Sequence, residues 1–286
     1  MIGVTGPTGG VGSVVVRHLL DAPGRPRVVA LARRPEAIRP ELNLSSRHAD
    51  YDDPRSLVAA LRGVFVSSDG RAETMQRHHR NVIAAAKTAG VDYIVYTSIL
   101  DIARQSRFYY SPGHQETEAL LSASGLDHCM ARTSVFADFF TDTWLAPALE
   151  HGELALPLGE GAMSLVSRQD VGMGLAAAVT ARKQGVLNLT GPRAVTAAQA
   201  CRTAAAVTGR ELRFRGLPEA DYRALMAGQG DPQWLITAFT TMFQSVEAGA
   251  FALAAGDVEA LTGEPPQSYA DYLRHTSGLT RNGGIE

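Results

Sequence analysis

The sequence predicts an α/β fold: a doubly wound parallel sheet with a smaller, mostly helical C-terminal lobe. Three observations predict it. Short apolar stretches alternate with helical ones throughout the first half. A glycine-punctuated turn, Gly6-x-x-Gly9-x-x-Gly12, joins the first of these strands to the first helix. After residue 133 the alternation gives way to longer helical runs.

In order, Ile2 to Val4 is an apolar strand, and the run Val11 to Leu20 carries Val11, Val15 and Leu19 on one helical stripe. Arg27 to Ala32 reads as the second strand and Ser46 to Asp50 as the third. Asp53-Pro54 opens a helix to Leu61, with Asp as N-cap and Pro at the first helical position. Gly63 ends that helix, and Val64 to Ser67 reads as the fourth strand. Glu73 to Ala89 is a long helix closed by Gly90, followed by a fifth strand, Val91 to Thr97. Ser98 to Pro112 is a polar loop, Gly113 to Ser124 a helix, and Leu126 to Ala131 the sixth strand. Six strands with right-handed crossovers make a Rossmann sheet, whose ligand lies across the carboxyl ends of the strands.

Residues 1–133 are thus expected to bind a dinucleotide. Residues 134–286 are expected to form a substrate lobe, with some segments returning to the sheet. Glu153 to Leu158 and Met163 to Ser167 are short apolar segments before a helix from Gln169 to Ala181. Val186 to Leu189 reads as a strand, Thr196 caps a helix ending at Gly209, and Glu211 to Arg215 is a strand. The rest is helical, with a break at Gly228 to Pro232.

Charge is balanced, 27 basic against 29 acidic residues, so no net field draws the chain to nucleic acid or a membrane. Two cysteines, Cys129 and Cys201, exclude a disulfide framework and a cysteine-ligated zinc. No apolar run reaches the length of a membrane span, and the chain opens directly in a strand, so a cytoplasmic protein is expected. A monomer or homodimer is expected. His78 and His79 are helix neighbours that point about 100° apart, so they make no metal site, and no other spacing suggests one.

The glycine turn assigns a cofactor class. Gly6 permits a sharp turn, Gly9 a close approach of backbone N–H groups to a pyrophosphate, and Gly12 close packing of the helix. The phosphates would rest on the positive end of that helix, beside Thr8, Gly10 and Val11. An NAD-preferring fold carries an acid at the end of the second strand. Here that strand ends Leu31-Ala32-Arg33-Arg34. Guanidinium attracts and forks onto a 2′-phosphate, so NADP(H) is expected, with Arg33 the first choice and Arg34 the second. Asp50 either bonds the adenine or caps the turn before Asp53. Ser67, Ser68 and Thr97, at strand ends, are the remaining cofactor candidates.

Short-chain reductases pair a tyrosine with a lysine four residues on, which lowers the phenol's proton affinity. None of the eight tyrosines here has that lysine. Where the pair should lie, His114 and Glu118 are four apart and share a helix face. They form either a His–carboxylate proton donor or an ordinary helix-start pair.

The residues resemble the NmrA-like atypical short-chain reductases, which include NAD(P)H:quinone oxidoreductases and triphenylmethane reductases. The resemblance spans almost the whole chain. It rests on the Gly6 turn, Ala32-Arg33-Arg34-Pro35-Glu36, Ala49-Asp50-Tyr-Asp-Asp-Pro54, and Asn81-Val-Ile-Ala-Ala-Ala-Lys-x-Ala-Gly90-Val. It continues through Tyr96-Thr-Ser98, His114-x-x-Thr-Glu118, Ser167-Arg-Gln-Asp170-Val, Leu189-Thr-Gly-Pro192 and Leu261-Thr-Gly-Glu-Pro-Pro266. It implies that the Gly6 loop, Thr8, Arg33 and the Ser67 region hold NADP(H), with the nicotinamide toward His114 and the segment after the sixth strand.

Phe136, Phe139, Phe140 and Trp144 share one helix face at the mouth of that cleft. They are an aromatic wall for a flat conjugated substrate or the packing core of the lobe. Phe136, Phe140, Tyr110 and Trp234 are the substrate candidates. The expected function is NADPH-dependent hydride transfer to a quinone or similar acceptor. The alternatives are an NADP(H)-sensing regulator without turnover, and a tailoring reductase or isomerase of an aromatic natural product.

Overall fold

The computed structural model describes residues 1–61 and 72–276. The expected fourth strand, Val64 to Ser67, and Ser68 lie outside the described residues. Strands β1 (Ile2–Thr5), β2 (Val28–Ala32) and β3 (Leu44–His48) pair in parallel in that order. Strands β4 (Tyr93–Ile99) and β5 (Asp127–Thr133) also pair in parallel. Between them run helices α1 (Gly10–Asp21), α2 (Pro54–Ala60), α3 (Ala72–Thr88) and α4 (Ser111–Ala123).

Alternation along the strands builds a layer of helices on each face. Val28 and Ala30 share one core with Tyr93 and Val95 and with Val15 and Leu19 of α1. Val29 and Leu31 turn the other way, with Ile94 and Tyr96, onto Leu57, Val82, Ile83 and Leu121 of α2, α3 and α4. A strand buried on both faces reads as a continuous apolar run, which is why these strands stand out in the sequence.

Boundaries move where polar residues are spent locally. Strand β3 stops at His48 rather than Asp50, because Asp50 shapes the turn into α2. Its Oδ1 accepts from the Asp52 amide at 3.0 Å, and its own amide donates to Ser56 Oγ at 2.9 Å. Asp53 then caps α2 by accepting from the Arg55 amide at 3.0 Å. Helix α4 starts at Ser111, two residues earlier than expected, with Pro112 in its first turn, where a missing N–H costs nothing.

The second half opens with α5 (Ala137–Phe140), a π-helical turn over Thr141–Leu145, and α6 (Ala146–His151). Pro147, at the start of α6, lacks the N–H an unbroken α-helix would need, and the π turn absorbs the mismatch. Strands β6 (Glu153–Leu156) and β7 (Ala162–Met163) precede α7 (Arg168–Thr180), β8 (Gly185–Leu189) and β9 (Val195–Thr196). Helix α8 (Ala197–Thr208) carries the full capping box of Thr196 and Gln199 and stops at Gly209 in the left-handed region. Strand β10 (Arg213–Gly216), α9 (Glu219–Gly228), α10 (Gln233–Glu247), α11 (Asp257–Thr262) and α12 (Tyr269–His275) complete the chain, with α9 and α10 flanking the expected break.

Two of these elements belong to the first-half sheet. Strand β8 pairs with β5 in parallel, and α7 packs on α1. A Cβ on Gly172 would lie 2.4 Å from Val14 Cγ1, so the two helices meet at a distance only glycine permits. The lobe has its own core, in which Phe140, Leu145, Phe243 and Leu273 are fully buried. No described helix is long and apolar enough to cross a membrane.

Candidate functional site

The glycine turn leaves β1 and enters α1 without a side-chain cap. Gly6 takes φ +57°, which admits glycine readily, and its carbonyl accepts from the Gly9 amide at 3.0 Å. Gly9 is the N-cap of α1, Gly10 and Val11 open the helix, and the first turn has no acidic side chain. The amides that an α-helix leaves unpaired at its start therefore meet no carboxylate from the helix's own first turn. Thr8, Gly9 and Gly10 are exposed, so the cradle opens to solvent. Gly12 lets the helix close on the backbone that leaves β1. Its missing Cβ makes room for the loop itself, since a Cβ there would lie 2.1 Å from Gly6 O. This is a cradle that side chains would fill, and it fits a pyrophosphate.

Arg33 and Arg34 follow β2, and both are exposed. Neither guanidinium has an ion-pair or hydrogen-bond partner among the described residues. His48, at the end of β3, meets the Arg33 carbonyl through Nδ1 at 3.1 Å. Asp50 is engaged in the turn described above, on the capping side of its two readings. Thr97 is buried near the end of β4, and its hydroxyl has no partner among the described residues. Ser67 and Ser68 lie outside them.

His114 and Glu118 do not form the expected pair. Both are buried on α4, but each is held by another element. Glu118 receives a two-pronged contact from Arg132, Nε to Oε1 at 3.0 Å and Nη2 to Oε2 at 2.6 Å. Ser98 Oγ donates to the same Oε1 at 2.7 Å. A buried carboxylate needs such partners, and Arg132 on β5 offers a fixed fork where a helix neighbour does not. His114 Nδ1 lies 2.7 Å from the Tyr96 hydroxyl, which also sits 3.4 Å from His79 Nδ1. His79 Nδ1 in turn meets Thr117 Oγ1 at 2.8 Å.

Burial governs the charge of this chain of groups. It pushes His114 down to about 4. It pushes His79 down to about 3, with smaller contributions from His114 and His78. The Tyr96 phenol is pushed up, again mainly by burial. Near neutral pH His114 is therefore an uncharged imidazole, not the cationic donor expected from its spacing. Its Nε2 has no hydrogen-bond partner among the described residues.

The aromatic stripe divides. Phe140 is fully buried against Trp144 and Tyr269, so it belongs to the lobe core and not to a substrate wall. Phe139 and Trp144 pack on Phe239 in the same lobe. Phe136 stays half-buried at the start of α5, its ring 5.4 Å below the Arg168 guanidinium. Tyr110, at the start of α4, packs edge-on against Tyr109 and Phe108. Trp234 is half-buried in the first turn of α10, two turns before Thr241, whose hydroxyl accepts from the Tyr109 amide at 3.0 Å. One cavity of about 510 Å³ lies in the lobe, among Trp144, Tyr222, Met226, Leu235 and Phe239. Another of about 390 Å³ lies between Asp101–Arg107 and the end of α10. Neither is lined by the four substrate candidates. Among the described residues, no group of three His, Cys, Asp or Glu is placed to hold a metal ion.

Residues 6–182 match the family model described as NAD(P)H-binding. The chain belongs to that family. It is 31% identical to quinone oxidoreductase 2 of Escherichia coli K12, over 96% of this chain and 98% of that protein. It is 32% identical to an NAD(P)H azoreductase of Xenophilus azovorans, over 96% and 97%. Among solved structures, the NADPH-dependent quinone oxidoreductase of E. coli in complex with NADPH superposes with a TM-score of 0.87 at 29% identity, covering 96% of this chain and 99% of that one. The fold class, the family resemblance and the cofactor class expected from the sequence are met.

Arg132, Tyr96, His79 and Arg168 join the site without being candidates from the sequence. For Arg132 a signal existed: a charged residue at the end of an apolar strand needs a partner near it. For Tyr96 and His79 there was none, because nothing in a sequence shows that residues 17 apart will share a hydroxyl.

Proposed function

We propose that this NAD(P)H-dependent oxidoreductase uses NADPH to reduce a quinone or a similar flat conjugated acceptor. The open glycine cradle at the start of α1 carries the reading, since its shape depends on three glycines and its helix has neither a side-chain cap nor an acidic first turn. Arg33 and Arg34, at the end of β2 and unpaired among the described residues, support the choice of NADPH over NADH. The near full-length likeness to a quinone oxidoreductase supports the acceptor class.

Bound NADPH supplies the hydride. The chain's own contribution is positioning, with one polar group for the acceptor. Tyr96 holds Nδ1 of His114, which leaves Nε2 as the ring nitrogen for the substrate. A neutral imidazole suits a conjugated acceptor, because the negative charge that develops is spread over the ring system and needs little acid assistance. Phe136 and Tyr110 are the aromatic faces proposed to line the acceptor's path.

Rapid mixing of the NADPH-bound protein with a panel of quinones tests this. Oxidation of NADPH with a saturable dependence on quinone is expected. Tight NADPH binding with no oxidation across the panel would replace the reductase with the sensor reading.

A further inference from the structure

Arg168 is the first residue of α7, yet its side chain lies on the first turn of α1. A Cβ on Gly10 would lie 2.5 Å from Arg168 Cδ and 3.0 Å from Nε. The arginine side chain thus crosses directly over Gly10. Three contacts hold the crossing in place. Gly172 lets α7 close on Val14 of α1. The Phe136 ring supports the guanidinium at 5.4 Å. Asp138 accepts from the Arg168 backbone amide at 2.8 Å.

The placement is electrostatically unfavourable by itself. The guanidinium lies beside the start of α1, which has neither a side-chain cap nor an acidic residue in its first turn, and a cation at a helix N-terminus is repelled. The compensating charge is weak. Asp138 Oδ1 stands 3.9 Å from Arg168 Nη1, beyond hydrogen-bond length, and the Arg168 side chain makes no hydrogen bond among the described residues. Asp138 is thus engaged by the α7 backbone amide, and the guanidinium's N–H donors beside the start of α1 have no hydrogen-bond acceptor among the described residues.

We infer that Arg168 is a binding residue for the cofactor's diphosphate, acting from the second half of the chain on the glycine turn of the first. The inference rests on the reading of that turn as the NADPH site. It gives the two arginine positions separate tasks. Arg33 would read the 2′-phosphate that distinguishes NADPH, and Arg168 would hold the diphosphate that NADPH and NADH share.

The test is a fluorescence titration of NADPH, NADH and adenosine 2′-monophosphate against the wild-type chain, Arg168→Gln, Arg168→Lys and Arg33→Ala. Thermal unfolding of each variant serves as the check on folding. Arg168→Gln is expected to weaken NADPH and NADH by the same factor, roughly tenfold or more for a lost charged hydrogen bond, and to leave adenosine 2′-monophosphate unchanged. Arg168→Lys should fall between it and the wild type, because the charge remains and the fork is lost. Arg33→Ala should weaken NADPH and adenosine 2′-monophosphate while sparing NADH. Wild-type affinity of Arg168→Gln for both dinucleotides would overturn the assignment, and so would a loss confined to NADPH. If the wild-type chain itself bound neither dinucleotide, the fault would lie in the cofactor reading instead.

Discussion

Replacing Gly12 by alanine probes the cofactor site without touching a polar group. Gly12 lies inside α1, so the added methyl by itself favours the helix by about 1 kcal/mol. Against that, an ideal Cβ would stand 2.1 Å from Gly6 O, 2.7 Å from Gly6 C and 3.2 Å from Pro7 Cα. Carbon and oxygen without a bond between them need more than 3 Å, roughly, so the Gly6–Pro7 backbone must retreat by about 1 Å. Overpacking of this kind costs about 1–3 kcal/mol, and the helix gain offsets part of it, so stability should fall by no more than about 2 kcal/mol. Cofactor affinity should suffer more. The retreat moves the Gly6 carbonyl that anchors the Gly9 amide, and with it the turn that aims N–H groups at a phosphate. Hydrogen bonds to a charged group contribute about 1.5–3 kcal/mol each, so misaiming two of them should weaken NADPH at least 100-fold, roughly. The assay is a fluorescence titration with NADPH, beside the rise in Tm that saturating NADPH gives each protein. A variant that folds and binds NADPH within about threefold of the wild type would refute the crowding argument.

Two further predictions concern the buried polar groups. Arg132→Met should leave Glu118 in its buried position with Ser98 as its remaining side-chain partner, at a cost of about 2–3 kcal/mol. That is below the roughly 3–5 kcal/mol of a fully buried broken pair, because the Arg132 side chain is 25% exposed and water can reach the gap. The double variant with Glu118→Gln should recover part of the loss, and a double-mutant cycle by thermal unfolding that shows no coupling would remove the pair from the account. The second concerns pH. His114 and His79 titrate near 4 and 3 in the folded chain against 6.5 in the unfolded one, so the unfolded state takes up protons first as pH falls. Above about pH 6.5 both are neutral in either state, and stability falls progressively as pH drops from there toward 4, on the order of 1.4 kcal/mol per pH unit for each histidine. Unfolding between pH 5 and 8, roughly, should show Tm falling below 6.5, and His79→Asn should remove about half of that slope. A slope unaltered by the substitution would count against burial as its cause.

Taken alone, the sequence determined the periodic and the local features. Strands buried on both faces read as apolar runs, the glycine turn has fixed spacing, and Asp53, Thr196 and Pro112 each mark a helix start through bonds within a few residues. The absence of a Tyr-x-x-x-Lys pair and the arginines after β2 were equally local facts. Tertiary structure decided everything that depends on which distant groups meet. Spacing put His114 beside Glu118, but the fold gave Glu118 to Arg132 and His114 to Tyr96, because sheet neighbours offer shorter and better-directed bonds than an i,i+4 partner. Helical phase put Phe136 and Phe140 on one wall, but packing sent Phe140 into the lobe core and set Phe136 beneath Arg168. Arg168 itself reaches the glycine turn across more than half the chain, through a helix contact whose close approach Gly172 permits. A bond between neighbours in the chain is written in their spacing. One between elements brought together by burial exists only after the core has formed.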